Sequence, residues 1–152
     1  MPLVGVIMDS ASDEPVVQEA VQTLEQLDVD YEVRVMSAHR NPERVREYAL
    51  SARDRGIEVL ISAAAGGAAL GGALASWTTL PVIGIPLASS ELKGLDALMA
   101  TAMTPPGVPV ACMAIGGWGA RNAACFAAAI LSLKHDHIRK AYEEYRKQLS
   151  EE

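Results

Sequence analysis

The strongest constraint on this chain is an alternation. Five short apolar runs of strand length are each followed by a segment with helical character. Leu3 to Met8 is the first run. From Asp13 to Leu27, Val16, Val17, Ala20, Val21, Leu24 and Leu27 then fall on one helical face. Tyr31 to Met36 is the second strand, and Asn41 followed by Pro42 reads as the N-cap and first residue of a second helix. Ile57 to Ser62 is the third strand, followed by a Gly/Ala turn and a short helix ending near Trp77. Pro81 to Ile85 and Pro109 to Ala114 are the fourth and fifth, with helices expected over Leu92 to Met103 and Asn122 to Leu133. Residues 134–149 form a charged, amphipathic terminal helix. Strands alternating with helices predict a doubly wound parallel sheet between two helical layers, a three-layer α/β/α sandwich with an additional C-terminal helix. No linker or low-complexity tract divides residues 1–152, so one domain is expected.

Charge and cysteine content restrict the partners. The formal net charge is −6, which argues against nucleic acid and anionic membrane surfaces but leaves room for a small anion held by one or two local cations. Met1-Pro2-Leu3-Val4 runs straight into a strand pattern with no secretory signal, and Cys112 and Cys125 sit among apolar neighbours as buried free thiols would. A cytoplasmic setting is therefore expected. His135-Asp136-His137 lies in the polar tail with no further ligand spacing, so no metal site is expected. From Val59 to Ser90 there is no charged residue. Gly66-Gly67, Gly71-Gly72, Pro81 and Pro86 break that run, which excludes a membrane span and predicts close backbone packing, part of it between subunits of a homo-oligomer.

Ligands of open parallel sheets bind beyond the carboxyl ends of the strands. The segments at that edge are Asp9 to Asp13, Ser37 to Arg40, Ala63 to Gly72, Leu87 to Ser90 and Ile115 to Gly119, and they hold most of the small-polar and glycine-rich sequence. Ser10, Ser12 and Asp13 offer hydroxyls and a helix N-terminus, which suits a phosphate or carboxylate and equally suits a plain helix cap. Arg40, one strand away, would complete an anion site. His39 is the only one of the three histidines outside the C-terminal tail. It reads as an acid–base group working near neutral pH, or as a histidine bonded to a backbone carbonyl. The glycine pairs read as turn punctuation, or as bare backbone against a flat ligand. No G-x-G-x-x-G fingerprint and no nucleophile elbow is present, which argues against a dinucleotide site and a serine-hydrolase triad.

Seven segments taken together resemble a known family. Met8-Asp9-Ser10-Ala11-Ser12-Asp13, Ser37-Ala38-His39-Arg40-Asn41-Pro42, Ala65-Gly66-Gly67-Ala68-Ala69, Pro81-Val82-Ile83-Gly84-Ile85-Pro86, Gly94-Leu95-Asp96-Ala97-Leu98, Pro106-Gly107-Val108-Pro109-Val110, and Ala114-Ile115-Gly116 with Asn122-Ala123-Ala124 are similar, in order, to the motifs of the PurE family. This family comprises the N5-carboxyaminoimidazole ribonucleotide mutases and aminoimidazole ribonucleotide carboxylases of purine synthesis. The resemblance implies a flavodoxin-like (Rossmann-like) sandwich assembled as a homo-octamer, with sites at subunit contacts and no metal or organic cofactor. It implies that Ser10 and Arg40 hold the ribonucleotide phosphate, that Asp13 bonds the ribose hydroxyls, and that His39 shuttles the proton while carbon dioxide passes from the carbamate to carbon 4 of the imidazole. Ser12, Ser37, Ala65, Gly66 and Gly67 complete the implied substrate-binding set. The carboxyl donor stays open between the carbamate and free carbon dioxide, and a divergent ribonucleotide-binding paralogue is the remaining alternative. Two departures stand out. The mutase pattern Gly-Gly-Ala-Ala-His-Leu-Pro-Gly becomes Ala68-Ala69-Leu70-Gly71-Gly72 here, without the histidine. Asp9 stands where the family has glycine, so a positive φ, which aspartate tolerates, is expected there.

Overall fold

The computed structural model describes residues 1–152. Its elements run β1 (Val4–Met8), a 3-10 turn (Ala11–Asp13), α1 (Glu14–Gln26), β2 (Tyr31–Val35), α2 (Pro42–Ala52), β3 (Val59–Ala65), α3 (Leu70–Trp77), β4 (Val82–Leu87), α4 (Leu95–Ala102), β5 (Ala111–Cys112), α5 (Gly117–Leu131) and α6 (Asp136–Ser150). The strands form one parallel sheet in the order β2-β1-β3-β4-β5. This is the flavodoxin-like order, in which the chain reverses direction across the sheet beside β1.

Strand periodicity builds two cores, because alternate side chains point to opposite faces. Val4, Val6, Met8, Val59, Ile61, Ala63, Ile83 and Ile85 meet α1 and α5 on one face, where Ile138 of α6 also packs. Ile7, Leu60, Ala64 and Val82 meet α2, α3 and α4 on the other, through Val45, Tyr48, Leu70, Leu74 and Ala97. The uncharged run supplies the expected close packing. A side chain at Gly84 would strike Thr101 Cγ2 at 2.5 Å and Val110 Cγ1 at 3.0 Å, so glycine lets α4 settle on the sheet. No helix is long and apolar enough to cross a membrane.

Several expected boundaries shift: β3 runs Val59–Ala65 rather than Ile57 to Ser62, and α6 starts at Asp136. The fifth strand shrinks to Ala111–Cys112, because β5 is the outer edge and pairs only Ala111 with Ile83 and Cys112 with Gly84; Pro109 has no N–H to extend the ladder. α5 starts at Gly117 rather than Asn122, since Gly116 (φ 74°) turns the chain and Gly119 lies against the Ala114 backbone where a side chain has no room. α4 starts at Leu95, after Lys93 and Gly94 both adopt positive φ.

Candidate active site

The sequence of β1 ends in residues that lock it to both neighbours. Met8 lies level with Val35 of β2 and Ala63 of β3. The Met36 N–H then donates to the Met8 carbonyl, and the Asp9 N–H donates to the Ala63 carbonyl, both at 3.0 Å. The three strand ends therefore stand shoulder to shoulder. With adjacent strands roughly 5 Å apart, the loops after β2 and β3 are separated by about 10 Å, with the β1 loop between them. Every site residue anticipated from the sequence falls on these three loops.

The β1 loop is a capping box. The Ser10 N–H donates to Asp13 Oδ2 at 3.1 Å, and Ser10 Oγ accepts the Ser12 N–H at 3.3 Å and lies 2.9 Å from Ser12 Oγ. Asp13 is buried while Ser12 is exposed. Burial pushes the Asp13 carboxyl above the ordinary aspartate range; the Ser10 amide opposes this, and the negative charge of Asp9 adds to it. The capping bonds thus leave the exposed Ser12 as the outermost hydroxyl of the loop.

The β2 loop is wound around one buried hydroxyl. Ser37 Oγ accepts the His39 N–H at 3.3 Å and the Arg40 N–H at 3.2 Å. Asn41 closes the turn from the far side, its N–H donating to the Ser37 carbonyl at 2.8 Å and its Oδ1 accepting the Ser37 N–H at 3.2 Å. Asn41 occupies the N-cap position before Pro42 as expected, yet its side chain makes no capping bond to the helix, because Ser37 already holds it. This was hidden in the sequence: Asn before Pro signals a cap, and only the turn geometry redirects the amide. The turn pushes His39 and Arg40 out onto the exposed edge. The Arg40 guanidinium reaches across to the β1 loop, where Nη2 donates to the Asp9 carbonyl at 3.1 Å. The His39 ring has no hydrogen-bond or ion-pair partner. Ser37 is thus placed to shape the loop.

The β3 loop presents bare backbone. Ala65, the last residue of β3, accepts the Ala68 N–H at 3.0 Å. Gly66 has a φ of 60°. Gly67 has no positive φ, and a side chain added at either glycine would meet nothing within 4 Å. Neither backbone strain nor packing requires glycine at Gly67, which lies exposed on the open shelf that the three loops form at this edge of the sheet. Ala68 adopts a φ of 43° in this same loop, a conformation alanine rarely takes. Asp9, in contrast, is absent from the positive-φ positions; the expectation of a left-handed residue there is corrected, because its N–H is tied into the sheet through Ala63.

Two further features frame the shelf. After β4, Ser90 Oγ donates to Asp96 Oδ1 at 2.9 Å, and that bond leads the effects holding the Asp96 carboxyl below its ordinary range. The largest hollow, about 970 Å³, lies elsewhere, at the amino ends of β4 and β5 among Trp77, Pro81, Val108, Pro109, Phe126 and Ile130. It opens at the opposite end of the sheet from the three loops.

Comparison with known proteins bears on what the shelf serves. A family model described as AIR carboxylase matches residues 3–152. A protein of Pyrococcus abyssi named N5-carboxyaminoimidazole ribonucleotide mutase is 51% identical over 149 residues, covering 98% of this chain and 84% of that protein. Proteins with the same name from Thermotoga maritima (48% identical, covering 100% of this chain and 88% of that protein) and Saccharolobus solfataricus (51% identical, covering 96% and 94%) are equally similar along their length. Among solved structures, the crystal structure of Treponema denticola PurE superposes with a TM-score of 0.86 at 25% identity, covering 99% of this chain and 93% of that one.

Proposed function

Because this chain belongs to the AIR carboxylase family and is an enzyme of purine biosynthesis, we propose that its shelf interconverts N5-carboxyaminoimidazole ribonucleotide and 4-carboxyaminoimidazole ribonucleotide, with His39 moving the proton. The reading is carried by one observation: the only histidine on the ligand edge has a free ring and stands beside an arginine that already reaches the β1 loop.

The parts fit the reaction. Ser10, Ser12 and Arg40 bind the phosphate, by hydroxyl and guanidinium donors on a loop that opens a helix. Asp13 bonds the ribose hydroxyls with the carboxylate capacity left over from the Ser10 amide. Ala65, Gly66 and Gly67 let the flat imidazole lie against backbone. His39 gives a proton to the exocyclic nitrogen as the N–C bond of the carbamate breaks and carbon dioxide leaves. Carbon 4 then bonds that carbon dioxide, and His39 takes the carbon 4 proton back as the ring regains aromaticity. No proton is gained or lost overall, which suits one imidazole serving as acid and then base. The chemistry runs on this chain's own groups and calls on no metal or organic cofactor.

The shelf is open on a single chain, whereas carbon dioxide has to be retained. A homo-octamer in the cytoplasm, with neighbours closing each site, meets that need. The exposed face of Leu92, Leu95, Met99 and Met103 supports such packing. The deciding experiment supplies the carbamate and, separately, aminoimidazole ribonucleotide with and without bicarbonate. Conversion of the carbamate in bicarbonate-free buffer is expected. Turnover of aminoimidazole ribonucleotide alone, rising with bicarbonate and leaving the carbamate untouched, would assign the carboxylase instead.

A further inference from the structure

Asp9 is the one charged group of the shelf whose presence the fold does not explain. Its backbone is fully occupied, the N–H on Ala63 and the carbonyl on Arg40. Its φ is not positive, so no turn demands aspartate. Its carboxylate makes no hydrogen bond, and no lysine, arginine or histidine nitrogen lies within 4.0 Å of it. The residue is half-buried at the start of the loop that carries Ser10, Ser12 and Asp13, and its charge is felt at Asp13. A half-buried, unpaired carboxylate beside donors arranged for an anion is a local conflict, and such conflicts concentrate where function is set.

We propose that Asp9 is a specificity-determining residue, a fixed negative charge that weakens binding of the doubly ionised phosphate and shifts the preference of the shelf toward the singly ionised ester. The role rests on the reading that the shelf holds a ribonucleotide phosphate. Coulomb repulsion scales with the product of the charges, so a dianion meets twice the repulsion a monoanion meets. A phosphate ester passes between the two forms near pH 6. Arg40 is held against the Asp9 carbonyl and so stays on the loop to attract the phosphate, while the Asp9 side chain tempers that attraction.

The test compares wild type with Asp9→Asn, using Asp9→Ser as a second neutral variant. At pH 8 the neutral variants should lower KM for the ribonucleotide by roughly three- to tenfold, the size of one like-charge contact near a protein surface. Near pH 5, where the phosphate is singly ionised, the gain should fall to about the square root of that factor. Affinity for the phosphate-free nucleoside should stay within about twofold, because one charge partner is missing. A rise in KM, a gain independent of pH, or an equal gain for the nucleoside overturns the proposal. Ribose 5-phosphate titrated calorimetrically into the same proteins separates the two readings. An Asp9 effect on ribose 5-phosphate without any turnover of the carbamate removes the mutase reading alone. Turnover with no Asp9 effect removes the charge role alone. Absence of ribose 5-phosphate binding to wild type and variants removes the anion site and the Asp9 role together.

Discussion

His39 and His135 are the same residue type in opposite circumstances. His135 precedes α6, and its Nε2 lies 2.7 Å from Glu58 Oε2, while Lys134 holds the other oxygen at 2.5 Å. On the β2–α2 flank, Glu32 is similarly saturated: Tyr48 Oη and Arg55 Nη1 donate to one oxygen at 2.8 Å, and Arg34 Nη2 donates to the other at 2.7 Å. Burial works to raise both carboxyls, but these donors win and hold Glu32 and Glu58 below the ordinary glutamate range. At the carboxyl edge the balance is reversed. The His39 ring and the Asp9 carboxylate have no partner, Arg40 spends its guanidinium on a single carbonyl, and burial keeps the Asp13 carboxyl raised. Charges whose bonds are complete hold elements together; charges left incomplete are available to a ligand.

The comparison breaks first at His39. His39→Asn should lower kcat by about 10²–10⁴-fold, the usual contribution of a positioned acid–base group, and leave thermal unfolding unchanged because the ring supports nothing. Matching steady-state rates for wild type and variant would place the proton transfer elsewhere. Arg40→Gln comes next: loss of a charge-assisted contact should raise KM for the ribonucleotide by about ten- to a hundredfold, with the chemical step measured in a single turnover much less affected.

Glu32→Gln probes the saturated side. It should cost about 1–2 kcal/mol of stability in urea unfolding, a figure kept low because solvent screens Arg34 and Arg55, while activity stays near wild type. The pH dependence follows from the same carboxyls. Glu32 and Glu58 have lowered values, so their stabilisation is complete above the ordinary glutamate range and is lost as pH falls through the folded values. Asp13 runs the other way: its raised value means stability declines as pH rises through the window just above 3.8. Unfolding followed from pH 6 down to pH 3 should therefore show an acid limb that flattens in the Glu32→Gln, Glu58→Gln double variant. A limb of unchanged slope would mean other carboxyls carry it. The smallest effect belongs to the β3 loop, where Ala68→Gly should relieve the positive φ and stabilise the chain by up to about 1 kcal/mol in thermal unfolding.

Much of this was legible in the residues. The helical face from Val16 to Leu27 and the apolar runs at Val4, Val59 and Val82 are local patterns, and they placed α1, β1, β3 and β4 close to where they lie. Ser10, Ser12, Asp13, His39, Arg40, Ala65, Gly66 and Gly67 converge as anticipated because strand order in a parallel sheet fixes which loops share an edge. The short β5 and the early start of α5 were not legible. The first depends on an edge strand finding only two partners, and the second on glycines that break helices in isolation but fit where Gly119 meets the Ala114 backbone. The turn of Asn41 back onto Ser37 is a contest between two local bonds that composition cannot settle.

The sequence by itself determined the sandwich and the small-polar loops that gather at one edge of its sheet, because hydrophobic period and turn-forming residues act over a few neighbouring positions. Only the tertiary structure decided which charges were spent. Glu58 and His135 are 77 positions apart, and Arg40 and Asp9 are separated by 31. Whether such groups pair depends on Coulomb and hydrogen-bond terms that fall off within a few ångströms, and those distances exist only once the sheet has formed.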